Sequence, residues 1–323
     1  MGETIESIEN YALGKKKQKK GSLSKVGVIG AGHMGQEISL HVAQCGIEVV
    51  FIDLSDEIIS NIFKSFDKRL DEVIDHWGMT PSEKRGIIQR IKGSTNYEDI
   101  KDCELVIETI NSKKQGTSKE IRREVFKKIE AVVSPTTVIT SNVSTMMISE
   151  LSSALEHPER ALGLHFVLPV NKIKIVEVSQ SVKTNHESYE FVLKFARMIE
   201  KKVIPVLESP GSIHTRMMAP MINEACEILM EGVASVKDID ELMKQATGFR
   251  FGPFEMADRI GLDKLLKWMD NLYQEFGDSR YKASPIIKRL VRRNHFGRRN
   301  NLGFYKYING FATAETVTCT EIR

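Results

Sequence analysis

His165 and Glu177 lie on two short runs of strand composition, Ala161-Leu162-Gly163-Leu164-His165-Phe166-Val167 and Lys174-Ile175-Val176-Glu177-Val178. Leu168-Pro169-Val170-Asn171-Lys172 lies between them and suits a chain reversal. If the runs pair antiparallel about Asn171, His165 falls opposite Glu177, and directly opposed side chains sit about 5 Å apart at Cβ. A carboxylate there can bond one imidazole nitrogen and fix the tautomer, leaving the other nitrogen to take a proton. That pair is what proton abstraction from an alcohol requires. A histidine beside a strand is also a common core residue, so the pair gains weight from what lies upstream.

Upstream, Gly30-Ala31-Gly32-His33-Met34-Gly35 follows one strand-like run, 26–29, and opens an amphipathic segment. The first glycine permits a tight turn, and the second lets the backbone approach a pyrophosphate. The third allows close helix–strand packing, while the helix N-terminus offers free N–H groups to phosphate oxygens. Asp53 stands at the end of the next run, 48–52, where a carboxylate can accept both ribose hydroxyls and repel a 2′-phosphate. The combination predicts a bound dinucleotide, NAD rather than NADP. His33 and Met34 share the loop, His33 as an incidental member rather than a catalytic one. A third polar run, Ser141-Asn142-Val143-Ser144, follows the apolar 138–140. At the carboxyl end of a parallel strand, Ser144 can bond a substrate oxygen and Asn142 can support the loop or the nicotinamide. The same run also reads as a helix N-cap, because Ser149, Glu150 and Leu151 continue helically.

The elements that must hold these groups alternate as strand and helix signals. Runs at 26–29, 48–52, 105–107 and 138–140 imply a mostly parallel sheet. Residues 55–92 read as one or two charged amphipathic helices, with Ile58, Ile62 and Phe66 at helical spacing. Beyond about residue 206 strand signals fade. Helical patterns occupy 215–232, 238–245, 262–277 and 284–293, and Ser209-Pro210-Gly211 is the natural hinge. The expected organisation is a basic arm at 1–24, a Rossmann-type NAD-binding domain at 25–207, an all-helical domain at 208–307 and a loose tail at 308–323. The arm carries Lys15-Lys16-Lys17-Gln18-Lys19-Lys20, either an anion-binding segment or a solvated leader.

In a chain of 323 residues, 41% apolar and 28% charged residues allow a sizeable core, and a net charge of +3 argues for neither nucleic acid nor membrane as partner. Cys45, Cys103, Cys226 and Cys319 are scattered, with no CxxC pair and no histidine at metal-ligand spacing. That speaks against a disulfide framework and a metal site, and suits the cytoplasm. No apolar run approaches a membrane span, and the N-terminus lacks the apolar stretch of a secretory signal.

The order of motifs resembles the 3-hydroxyacyl-CoA dehydrogenase family over about 25–307. The matching pieces are VGVIGAGHMG, ELVIET, ITSNVS, GLHFVLPV with KIVEV, SPG, NEACEILMEGVASVKDID, GFRFGPFEMADRIGLD and GFYKY. The resemblance implies a Rossmann-type domain ending in antiparallel strands, a helical domain that builds a homodimer, and reversible oxidation of a 3-hydroxyacyl thioester to the 3-ketoacyl thioester. It implies His165 as base, Glu177 as its orienter and Ser144 as the group holding the substrate oxygen. Glu108, ending the ELVIET strand, joins the cofactor site. Lys64 and Lys68 fall where relatives hold the adenosine phosphate of CoA, although a merely solvated basic face fits them equally. This chain departs from the family in three places. Leu168 and Thr215 stand where the family has Asn, and Arg250 stands where it usually has Pro. Thr215 retains a hydroxyl that can partly substitute; Leu168 does not. Arg250 could meet an acidic substrate or form a surface ion pair. Two other readings follow from the departures: a dehydrogenase of another 3-hydroxy acid or carrier-protein thioester, and a non-catalytic NAD or acyl-CoA binder.

Overall fold

Buried strands flanked on both faces read as nearly continuous apolar runs, and the N-terminal half is built from them. A computed structural model describes residues 23–76, 78–110 and 118–317, so the basic run at 15–20 and Cys319 lie outside the described residues. β1 (Lys25–Ile29), α1 (His33–Gln44) and β2 (Glu48–Ile52) form the first unit of strand, helix and strand. The 55–92 stretch resolves into two helices. α2 (Asp56–Asp75) starts at Ser55, whose hydroxyl accepts from Ile58 N–H. α3 (Pro81–Gln89) starts at Thr80, reciprocally capped with Glu83. β3 (Ile91–Ser94) follows, a strand that its own residues do not announce.

The chain continues through β4 (Leu105–Glu108), α4 (Ser118–Glu130), β5 (Val138–Ser141), α5 (Ile148–Ser152), β6 (Ala161–Phe166), β7 (Ile175–Gln180), α6 (His186–Met198) and β8 (Lys202–Leu207). Eight strands make one sheet in the order β3-β2-β1-β4-β5-β6-β7-β8. β1 pairs in parallel with β2 and β4, so the strand order reverses around it, where doubly wound sheets bind their ligands. β6 and β7 are antiparallel, with His165 opposite Glu177 as the hairpin predicts. The fold is the expected mostly parallel, Rossmann-type sheet. Between β2 and α2, the rings of Phe51, Phe63 and Phe66 lie 5.6–6.1 Å apart in tilted and edge-on contacts.

Two compact units divide the chain. Among the described residues, one takes those from 23 to 142 together with 151–205; the other takes 143–150 and 206–317. The short 143–150 segment, expected within the first domain, therefore belongs with the helices. That unit holds α7 (Ile213–Glu231), α8 (Val236–Thr247), α9 (Pro253–Ile260), α10 (Leu262–Phe276) and α11 (Pro285–Arg292). It is helical but not wholly so. β9 (Tyr305–Ile308) and β10 (Phe311–Thr316) form an antiparallel hairpin, which corrects both the all-helical expectation and the loose tail from 308. The cause is polar and buried. The Asp258 carboxylate accepts the N–H groups of Phe304 and Tyr305 and the Tyr307 hydroxyl, and Asp240 accepts the Tyr305 hydroxyl at 2.8 Å. Those bonds stake β9 to α8 and α9.

Candidate active site

The Gly-rich turn is shaped by close contacts that no side chain could share. Gly30 adopts φ +86°, the left-handed region, and its N–H reaches back to Ile52 O at 2.8 Å. A Cβ on Gly35 would fall 2.1 Å from Gly30 O and 2.7 Å from Thr109 Oγ1. Gly32 differs: a Cβ there would meet no protein atom within 4 Å. The turn is therefore closed against the sheet and open at Gly32, the N-cap of α1, where no side chain caps the helix. Asp53 Oδ2 accepts from Ala31 N–H and Oδ1 from Leu54 N–H, both at 2.8 Å, which ties the turn to the end of β2. Glycine cradle, helix terminus and carboxylate together fit a dinucleotide.

Other residues assigned to this site behave differently. The Met34 side chain packs against the first core, so its contribution is confined to its backbone. His33 is exposed, and its Nδ1 lies 3.4 Å from Arg69 Nη2, while Arg69 also pairs with Glu37 at 2.8 Å. Lys64 and Lys68 are exposed on α2. Glu108 is a correction. It is 0% exposed, and its carboxylate is taken up by Arg122 Nη1, by Ser141 Oγ at 2.6 Å and by Ile110 N–H at 2.6 Å. A carboxylate satisfied in this way has no face left for a ligand. Instead it joins the ends of β4 and β5 to α4, and Arg122 Nη2 donates to Ile110 O at 2.6 Å beside the Gly-rich turn. Nothing in the sequence singles out Arg122, one of two adjacent arginines on a charged helix.

Across the sheet, His165 Nδ1 lies 3.2 Å from Glu177 Oε2, with both side chains largely sheltered. With Nδ1 held, Nε2 is the nitrogen available for proton transfer. Asn142 is fixed from two sides: its N–H donates to Glu108 O at 2.8 Å, and its Oδ1 accepts from Phe166 N–H at 2.7 Å. That bond ends beside His165 in the chain, so β6 and the end of β5 are held together. Leu168, in place of the family's Asn, packs against the first core.

Ser144 and Thr215 belong to the other unit. α5 begins only at Ile148, so Ser144 is not its cap. Ser144 is half-buried, and its carbonyl accepts from Ser212 N–H at 2.8 Å. Ser212 caps α7, accepting Thr215 N–H at 3.2 Å, and its hydroxyl lies 2.9 Å from that of Thr215. Thr215 is 0% exposed. Its hydroxyl bonds within the start of α7. Arg250 makes no ion pair among the described residues; its guanidinium lies 5.2 Å from the Phe251 ring, which Arg259 covers at 3.5 Å. No group of residues suited to a metal ion occurs among the described residues.

Comparison with known proteins covers nearly the whole described chain. The family model for "3-hydroxyacyl-CoA dehydrogenase, NAD binding domain" matches residues 25–209, and that for "3-hydroxyacyl-CoA dehydrogenase, C-terminal domain" matches 211–307. A 3-hydroxybutyryl-CoA dehydrogenase of Clostridioides difficile is 36% identical over 283 residues, 88% of this chain and 99% of the relative. The crystal structure of (S)-3-hydroxybutyryl-CoA dehydrogenase from Ralstonia eutropha is similar with a TM-score of 0.81 and 34% identity. The match covers 89% of this chain and 100% of that one. Mycobacterium tuberculosis FadB2 gives a TM-score of 0.85 at 27% identity, again over 89% and 100%.

Proposed function

The chain belongs to the 3-hydroxyacyl-CoA dehydrogenase family of NAD-dependent oxidoreductases, and from that premise we propose that it interconverts a short 3-hydroxyacyl-CoA, such as 3-hydroxybutyryl-CoA, and its 3-ketoacyl-CoA. NAD, when bound, would accept the hydride that leaves C3 of the hydroxyacyl group, and NADH would return it in the reverse direction. His165 Nε2 takes the hydroxyl proton in oxidation and returns it in reduction. Glu177 holds the imidazole through Nδ1, and Ser144 steadies the substrate oxygen. Asn142 keeps the end of β5 beside the base strand. The turn shaped by Gly30, Gly32 and Gly35 lets backbone N–H groups at the start of α1 reach the pyrophosphate, with the backbone of Met34 and the exposed His33 on the same turn, and Asp53 takes the ribose. Lys64 and Lys68 meet the phosphates of CoA.

The observation that carries this reading is the 3.2 Å contact between His165 and Glu177 on neighbouring strands of a dinucleotide fold. A sensor that only binds has no need of an oriented base. The test is oxidation of NADH with acetoacetyl-CoA. We expect turnover by the wild type and a loss of about 10²- to 10⁴-fold in His165→Ala. An inactive wild type, or a fully active variant, overturns the assignment.

One observation favours a second reading of the substrate. Leu168 packs into the core where the family places an amide, so the polar surroundings of the base differ. A free 3-hydroxy acid or a carrier-protein thioester would then be preferred, and a panel of thioesters and free acids decides between them. We further propose a homodimer formed through the helical unit, where Ile213 and Met217 leave apolar surface exposed on α7, with light scattering as its measurement. The free thiols of Cys45, Cys103 and Cys226 suit the cytoplasm. No helix among the described residues is long and apolar enough to cross a membrane.

A further inference from the structure

Lys201 is nearly enclosed, at 3% exposure, and the chemistry of the site makes no use of it. Its Nζ donates to two carbonyls of the turn that joins β6 to β7, Val170 O and Ile173 O, the second at 2.6 Å. Within that turn the N–H groups of Lys172 and Ile173 both donate to Pro169 O, at 3.1 and 3.0 Å. The turn thus closes on one carbonyl and delivers two others to a cation on a different element. Lys201 is itself fixed. Its N–H donates to Ala196 O at 2.8 Å at the end of α6, and Lys202 N–H donates to Lys174 O at 2.8 Å. Glu200, at φ +56°, turns the chain between α6 and β8 and so introduces Lys201.

We propose that Lys201 is a positioning residue for the hairpin that carries His165 and Glu177. Register in an antiparallel pair is set by its turn, and a one-residue slip would move Glu177 to the opposite face of the sheet. Even a small relaxation of the turn lengthens the 3.2 Å contact that orients the base. Burial, with the charge of Lys174 adding to it and Cys45 and Glu200 acting against it, holds the Lys201 pKa below the usual lysine value, and the cost of that enclosure points to a role that a surface lysine could not fill. The cofactor turn at Gly30 and Asp53 lies on β1 and β2, away from this hairpin in the sheet order. The effect should therefore fall on turnover and not on cofactor binding.

The proposal rests on His165 being the base, so three variants are compared in the reduction of acetoacetyl-CoA: His165→Ala, Lys201→Met and Lys201→Gln. Met keeps the packing and loses both hydrogen bonds, whereas Gln keeps a donor. We expect kcat to fall about 10- to 100-fold in Lys201→Met, with the KM for NADH within about two-fold of wild type, and Gln to recover most of the loss. Thermal unfolding of each variant checks that it is folded; if Met does not fold, the kcat of Gln is read against that of wild type, and a loss beyond about 100-fold overturns the proposal. It is also overturned if Lys201→Met turns over within about two-fold of wild type, if NADH binding falls in step with kcat, or if Gln is as poor as Met. An active His165→Ala would instead remove the assignment of the base. An inactive one beside a fully active Lys201→Met would remove the role of Lys201 alone.

Discussion

Two atoms, His165 Nδ1 and Glu177 Oε2, stand 3.2 Å apart, and the proposed chemistry depends on what each does for the other. The carboxylate selects the tautomer in which Nε2 is unprotonated and steadies the imidazolium once the proton arrives. Glu177→Gln keeps the shape but can turn an N–H₂ toward Nδ1. We expect kcat to drop about 10²- to 10⁴-fold with the KM for NADH unchanged, as measured by steady-state kinetics. A drop confined to KM would place Glu177 in binding instead. At Asp53 the carboxylate anchors Ala31 N–H, and in the proposed cofactor site it stands where a 2′-phosphate would lie. Asp53→Asn should weaken NADH and raise the use of NADPH relative to NADH, read as the ratio of kcat/KM values. An unchanged ratio would mean that the discrimination lies elsewhere. Most of these residue-scale assignments are legible in the sequence because residue type and interval state them. Glu108 is the exception. A strand-end acid looks like a ligand, and only its enclosure by Arg122, Ser141 and Ile110 identifies it as a brace.

The turn from β1 into α1 works as a unit at the scale of elements. Gly30 O, Thr109 Oγ1 and the place of a Cβ on Gly35 compete for one volume, so the turn packs correctly only with glycine at 35. Gly35→Ala should displace the N-terminus of α1 and weaken NADH binding by about ten-fold or more, as a failed close approach of backbone to phosphate predicts. Quenching of NADH fluorescence measures it, and near-wild-type affinity would contradict the packing argument. The β6–β7 hairpin was readable for a different reason. Its apolar runs are long enough to show strand type, and the interval between His165 and Glu177 matches the register found. β3 was unreadable, because Ile91-Lys92-Gly93-Ser94 carries one apolar residue and is a strand only by pairing with β2.

The second unit carries, at the scale of the whole molecule, a pair of buried acids that its stability should report. Burial pushes the Asp258 pKa up to about 7, the donors from Tyr305, Phe304 and Tyr307 act against this, and Asp240 adds to the rise. In the unfolded chain an aspartate titrates near about 3.9. The folded state therefore keeps a proton that the unfolded state releases. Stability is greatest below about pH 4 as far as this group is concerned, and declines as pH rises to about 7, by a few kcal/mol at most. Denaturant unfolding followed between pH 5 and pH 8 should show a decline that Asp258→Asn flattens, even though the variant is weaker throughout. An equal slope in both proteins would exclude Asp258 as its source.

The sequence by itself determined the local and periodic features: the glycine turn, the acid that follows it, the His–Glu interval and the succession of strand and helix. Each is written in residue type at short range, where backbone sterics and hydrophobic period decide the outcome. The tertiary structure alone decided the long-range pairings. It turned Glu108 inward onto Arg122, drew residues 305–316 into a hairpin through Asp258 and Asp240, and placed Lys201 beneath the turn of the His165 strand. These partners are far apart in the chain, and a buried polar group is satisfied by whichever donor the fold delivers, which no local pattern encodes.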